Sequence, residues 1–172
     1  MKRKATNQID RSQRYRASKK GTHMTRPEVP SLTNEQAFEL ARNVVRSCRF
    51  PQLATCDGDQ PRLRPVSPVR TDDFVVYIAN LRSYQKTKEI AANPQVELCY
   101  LSDTHDQVRI SGLAKIVDDQ SLLKTIWAEN PLLRQYLGSV DNPELIIYRI
   151  QPKRIRLMQE WALSYYEIPI PT

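Results

Sequence analysis

Between Leu53 and Met158 one β-patterned segment follows another, and the helical stretches between them are too short to cover a parallel sheet face repeatedly. That succession leaves an antiparallel sheet, closed or nearly closed on itself, with helices at its periphery. The chain is mainly β. Its 172 residues suffice for one domain with a real core and are short for two.

Leu53-Ala54-Thr55-Cys56, the turn at Asp57-Gly58-Asp59-Gln60 and Arg62 to Val69 read as a hairpin. Pro61, Pro65 and Pro68 cannot donate to a ladder, so the second strand is irregular or lies at an edge. After a turn at 71–73, Phe74 to Ala79 is a nearly continuous apolar run, the pattern of a strand buried on both faces. Val96 to Leu101 and Val108 to Val117 follow as strands, the second bending at Ser111-Gly112, and Leu145 to Met158 makes a long closing strand. Helical spacing marks Ser31 to Arg49, with Thr33 and Gln36 as a capping box. It also marks Ser83 to Ala92 and 120–137, the last interrupted at Asn130-Pro131. The tail from Ser164 reads as an arm on a partner subunit or a loose end.

The net charge of +7 is uneven. Residues 1–26 hold nine Lys/Arg against one acid, while 27–172 are nearly neutral. Such a stretch attracts nucleic acid or anionic membranes, but with one aromatic, Tyr15, and no apolar period it reads better as a basic extension without a fold of its own, or as sequence ahead of a start at Met24. The expected organisation is this extension at 1–26, a barrel domain at 27–160 and a C-terminal arm at 161–172. With no apolar run of 18 residues and no signal segment, a cytoplasmic protein is expected, without a membrane partner and without nucleic acid apart from the basic arm. Cys48, Cys56 and Cys99 fit reduced thiols, and two histidines are too few for a metal cluster.

Nothing matches a nucleophile elbow, a P-loop, a GxGxxG turn or a Ser/His/Asp set, so chemistry would come from a bound cofactor. Arg62 and Arg64 emerge on one strand face and repel unless an anion lies between them. Ser83 and Lys86 at the start of the short helix add a hydroxyl, free amides and a charge, which together suit a phosphate. A plainer reading stands beside this one: Ser83 as an N-cap, Lys86 as a solvated charge, and Arg62 and Arg64 as partners of Asp57, Asp59 or Glu97. Gln107 offers an amide to a heteroaromatic edge.

Three segments, PQLATCDGDQPRLRPV (51–66), FVVYIANLRSYQKTKEIAANPQVELCYL (74–101) and QVRISGLAKIV (107–117), stand in an order and at a spacing that resemble the pyridoxamine 5'-phosphate oxidase-like family of FMN-binding split barrels, in particular its small stress-protein-like members. The resemblance covers about residues 33–158 and implies a split-barrel homodimer with FMN at the subunit interface. It places Arg64 on the FMN phosphate and the backbone of Pro65, Val66, Ser67 and Val69 beside the flavin ring, with Ile78 and Ala79 as the ring's other strand contact. The family's basic phosphate ligands fall on Gln85 and Lys86, and its flavin-contacting glutamine on Gln107. Val69 replaces the oxidase's substrate lysine, and its Tyr/Arg/Ser substrate set is missing, so pyridoxamine phosphate oxidation is not expected. What the resemblance implies is an FMN-dependent oxidoreductase or flavin reductase acting on a small molecule or NAD(P)H. The alternatives are a flavin carrier or redox sensor without catalysis, and a haem- or deazaflavin-binding relative.

Overall fold

A computed structural model describes residues 27–171, so the readings made for 1–26 lie outside the described residues. In chain order the elements are α1 (Asn34–Ser47), β1 (Gln52–Asp57), β2 (Gln60–Pro65), β3 (Arg70–Asp72), β4 (Val75–Leu81), α2 (Gln85–Ala92), β5 (Gln95–Leu101), β6 (Gln107–Ile116), α3 (Gln120–Glu129), α4 (Pro131–Leu137), β7 (Leu145–Met158) and β8 (Tyr166–Ile168). The strands pair antiparallel in the order β2-β1-β5-β6-β7-β4-β3, and β8 adds to β7. The end strands β2 and β3 do not pair, so the barrel is split rather than closed.

The long β7 makes this curvature possible. One of its edges pairs with β6 along nearly its whole length, while the other pairs with β4 over 145–150 and with β8 over 155–157. The β6–β7 register slips between Ser111 and Gly112, where Ser111 faces Arg154 and Gly112 faces Pro152. The bend expected at Ser111-Gly112 is there, and a Cβ on Gly112 would stand 2.3 Å from the Gln151 carbonyl oxygen. Only glycine permits that approach.

The main core joins Val96, Leu98, Val108, Ile110, Ile155 and Leu157 of the sheet to Ala37, Ala41, Val44 and Val45 of α1. Apolar residues at three- and four-residue spacing put one face of α1 on the sheet, and the Thr33/Gln36 capping box satisfies its first amides. A smaller core, with Tyr77, Val117, Ile126, Leu145 and Ile147, packs beneath α3 and α4. Because β4 sends Val76 and Ile78 into the first core and Tyr77 into the second, both its faces are buried, as its apolar run requires.

Four local expectations need correction. The residues after Pro65 leave the sheet and return as β3, so Thr71 and Asp72 are paired and the turn falls at Asp73, with φ of 52°. The first hairpin is tighter than its composition implied: Asp57 faces Gln60, and Gly58 at φ 59° takes the first of two loop positions. The short helix starts at Gln85 rather than Ser83. The tail folds back on its own chain, where β8 pairs with β7, Ile168 is buried and the Tyr166 hydroxyl accepts a bond from the Leu32 amide at 3.0 Å. Ile168 thus joins the main core, with Tyr166 packed against it. Among the described residues no helix is long and apolar enough to cross a membrane.

Candidate functional site

The hairpin β1–β2 presents Arg64 beside Thr55, and α2 brings Glu89 beneath them. Arg64 Nη2 lies 2.7 Å from Glu89 Oε2, the Thr55 hydroxyl donates to the same oxygen at 2.5 Å, and Arg64 Nη1 bonds Thr55 Oγ1. Glu89 is 4% exposed, so its carboxylate has these partners in place of water. These bonds use two of the five N–H donors of Arg64, and the side chain keeps 25% of its surface open.

One turn before Glu89 on α2 stands Lys86. Burial holds its ammonium below the ordinary lysine range, the charge of Arg64 pushes the same way, and Glu89 opposes them. Only Arg64 pairs with Glu89, while Lys86 stands near enough to feel both charges, which leaves a surplus of positive charge that an anion would relieve. The start of α2 is fixed by β4: buried Asn80 donates to Thr87 Oγ1 at 2.7 Å, and Thr87 donates to the Leu81 carbonyl at 2.9 Å.

Lys86 lies in the wall of a cavity of about 500 Å³. Pro65, Val66 and Ser67 form one side, Ile78 to Leu81 of β4 the next, Tyr84 the start of α2, and Leu133, Tyr136 and Leu137 of α4 the far side. The lining is mostly apolar, with Lys86 its one charged residue, as small-molecule sites commonly are.

The structure thus brings Pro65, Val66, Ser67, Ile78, Ala79 and Lys86 together around one space, with Arg64 next to Pro65. Other residues singled out in the sequence stand elsewhere. Arg62 pairs with Asp57 at 2.9 Å on the exposed hairpin, one of the plainer pairings considered, whereas Arg64 takes none of those partners. Val69 packs against the smaller core and donates its amide to the Tyr77 carbonyl. Gln85 is exposed, and Gln107 accepts a bond from the Tyr165 hydroxyl at 2.9 Å, outside the cavity wall. Ser83 does not cap α2. Tyr84 holds that position without a side-chain bond, and Ser83 donates through Oγ and N to Glu144 Oε2 at 2.6 and 3.1 Å. The anion met by that hydroxyl is the protein's own.

Thr55, Glu89 and the α4 residues were not anticipated. Glu89 follows Lys86 by three residues, a same-face spacing that is visible in the sequence. The contribution of α4 depends on tertiary packing, which spacing alone does not encode.

The sequence pattern of the pyridoxamine 5'-phosphate oxidase family matches residues 37–159, which span every element that builds this cavity. The chain belongs to that family. General stress protein 26 of Bacillus subtilis (strain 168) is 30% identical over 131 residues, 74% of this chain and 91% of that protein. Among solved structures, a protein related to general stress protein 26 from Clostridium acetobutylicum superposes with a TM-score of 0.67 at 12% identity, covering 80% of this chain and 97% of that one. A heme-binding protein from Mycobacterium smegmatis gives 0.63 at 16% identity, covering 82% and 59%. At these identities the two structures establish the shared fold. The placing of the chain in the oxidase family rests on the sequence matches.

Proposed function

We propose that this member of the family binds FMN in the cavity between Pro65–Ser67, β4 and α4, and works as an FMN-dependent oxidoreductase of the flavin reductase kind. The observation that carries the reading is a mostly apolar cavity with Lys86 in its wall and Arg64, paired with Glu89, next in sequence to its Pro65 side. Lys86 and the spare donors of Arg64 would hold the phosphate. Val66, Ile78 and Ala79 would exclude water from the ring, and Ser67 and Asn80 would give it polar contacts. Bound there, FMN supplies hydride or electron exchange with a small substrate or NAD(P)H.

The same reading includes a homodimer. Tyr84 and Tyr136 line the cavity yet are 56% and 79% exposed, an arrangement that a second copy would cover. Gln107, outside the wall of its own chain's cavity, would then be free to serve the partner's flavin.

Purified protein should show flavin absorption bands and release FMN, identified by mass, on denaturation. NADH or NADPH added without oxygen should bleach those bands. A flavin that no common reductant bleaches would leave a carrier or sensor in place of an enzyme. A Soret band would replace the flavin with haem. Against haem stands His105, the sole histidine among the described residues, which bonds Glu160 at 2.9 Å and takes no part in the cavity wall.

A further inference from the structure

A second cavity, of about 430 Å³, adjoins the first through Ser67, which lines both. Its character is reversed. Arg46, Cys48 and Arg49 enter from the C-terminal end of α1, Thr71 from β3 and Asn130 from the α3–α4 junction, and the lining includes no carboxylate. Among the described residues neither Arg46 nor Arg49 forms an ion pair, and Arg49 rests its guanidinium over the Phe50 ring at 5.1 Å. Both are exposed, so their guanidinium donors are open to an anion that enters this cavity.

An independent observation comes from inside the barrel. Tyr100 forms part of the same wall and is 1% exposed, yet its phenolic oxygen has no hydrogen-bond partner in the protein. A buried hydroxyl without a partner is destabilising and is conspicuous in a native fold. Burial also pushes the phenol above its ordinary range, so it keeps its proton and can only gain by donating it. Ser67 and Thr71 add hydroxyl groups to the same lining.

We propose that this cavity is a binding site for a small organic anion bearing a carboxylate or a phosphate, with Arg46 and Arg49 supplying charge and Tyr100 donating a hydrogen bond to it. Because Ser67 belongs to both cavities, the anion sits beside the first one, where a reaction partner of the cofactor would stand. That role rests on the flavin reading; binding of the anion does not.

The test is calorimetric titration of the full chain with benzoate and, separately, inorganic phosphate, which distinguishes the two headgroups. Since phosphate also suits the Lys86 end of the first cavity, only the component lost in Arg46→Gln/Arg49→Gln is counted. Saturable binding of one probe is expected, weakened about tenfold or more in that double variant and severalfold in Tyr100→Phe. Tyr100→Phe should unfold no more easily than the parent, because it deletes an unpaired hydroxyl, and flavin absorbance should persist in both variants. Absence of saturable binding, or binding unchanged by both variants, overturns the proposal. A colourless protein that still binds the anion through these residues would sink the flavin reading and leave this one standing.

Discussion

The centre of the sheet and its β2 edge are held by different forces. Along β6 and β7, ten registered positions put Ile110, Ile155 and Leu157 at 1% exposure or less, and burial of apolar surface decides the geometry. At the edge, β2 carries Pro61 and Pro65, which have no N–H, and its arginines are fastened by Asp57 and by the buried Glu89. Packing cannot be given up without unfolding, whereas a charge pair can be shared with a ligand. Hence the candidate site lies where the sheet is least self-sufficient.

The sharpest test of the central half is Gly112→Ala. Its Cβ would meet the Gln151 carbonyl at 2.3 Å, a backbone atom that cannot swing aside, so a loss of about 3 kcal/mol is expected in urea unfolding. Gly58→Ala, at φ 59° with open space around it, should cost about 1–2 kcal/mol. Equal costs would mean that the strands do not approach as closely as described.

The edge is tested next. Arg64→Met strands Glu89 with Thr55 alone. The expected cost is about 2 kcal/mol, below that of a fully buried pair because Arg64 is a quarter exposed. Adding Glu89→Met should restore part of it, since the stranded charge is gone. On the flavin reading, Arg64→Met also weakens FMN binding by about one to two decades. Arg62→Met, which breaks an exposed pair, should cost less than about 1 kcal/mol. An Arg62 effect as large as that of Arg64 would erase the distinction between the two arginines.

The same division explains what the sequence made legible. Apolar alternation and turn residues located α1, β5 to β7, the break at Asn130-Pro131 and the bend at Ser111-Gly112, because burial imposes those periods on any chain. The split after Pro65 was not legible: three prolines signal irregularity without saying where the chain re-enters the sheet. At the site, the resemblance pointed to Arg64, Lys86 and the Pro65–Ser67 segment, which the fold places around or beside one cavity. Glu89 escaped notice because a single acid on a helix carries no mark of burial. Ser83 was misread because its true partner, Glu144, is 61 residues away.

Smaller effects test how the periphery is fastened to the centre. Thr33→Ala removes the side chain that caps α1, and Tyr166→Phe removes the acceptor of the Leu32 amide bond, which ties β8 to the start of that helix. Each should lower stability by about 1 kcal/mol. If Tyr166→Phe were silent, β8 would be held by Ile168 and its ladder alone.

The faintest effect is the most diagnostic in its pH dependence. The Ser83 hydroxyl, then its amide, hold the Glu144 carboxyl below its ordinary value of 4.5, with a smaller pull from Arg82, while desolvation opposes them. A carboxyl whose folded value is depressed adds stability above its unfolded value, and that stability is lost as pH falls through the folded one. The gap between parent and Ser83→Ala should therefore be full at neutral pH and shrink below about 4.5. The penalty of Gly112→Ala involves no proton and no charge, so it should stay the same across that window. If both penalties moved together with pH, the Gly112 clash would be coupled to the ion pairs that Glu97 makes with Arg109 and Arg156 on neighbouring strands, and packing alone would not hold the middle of the sheet.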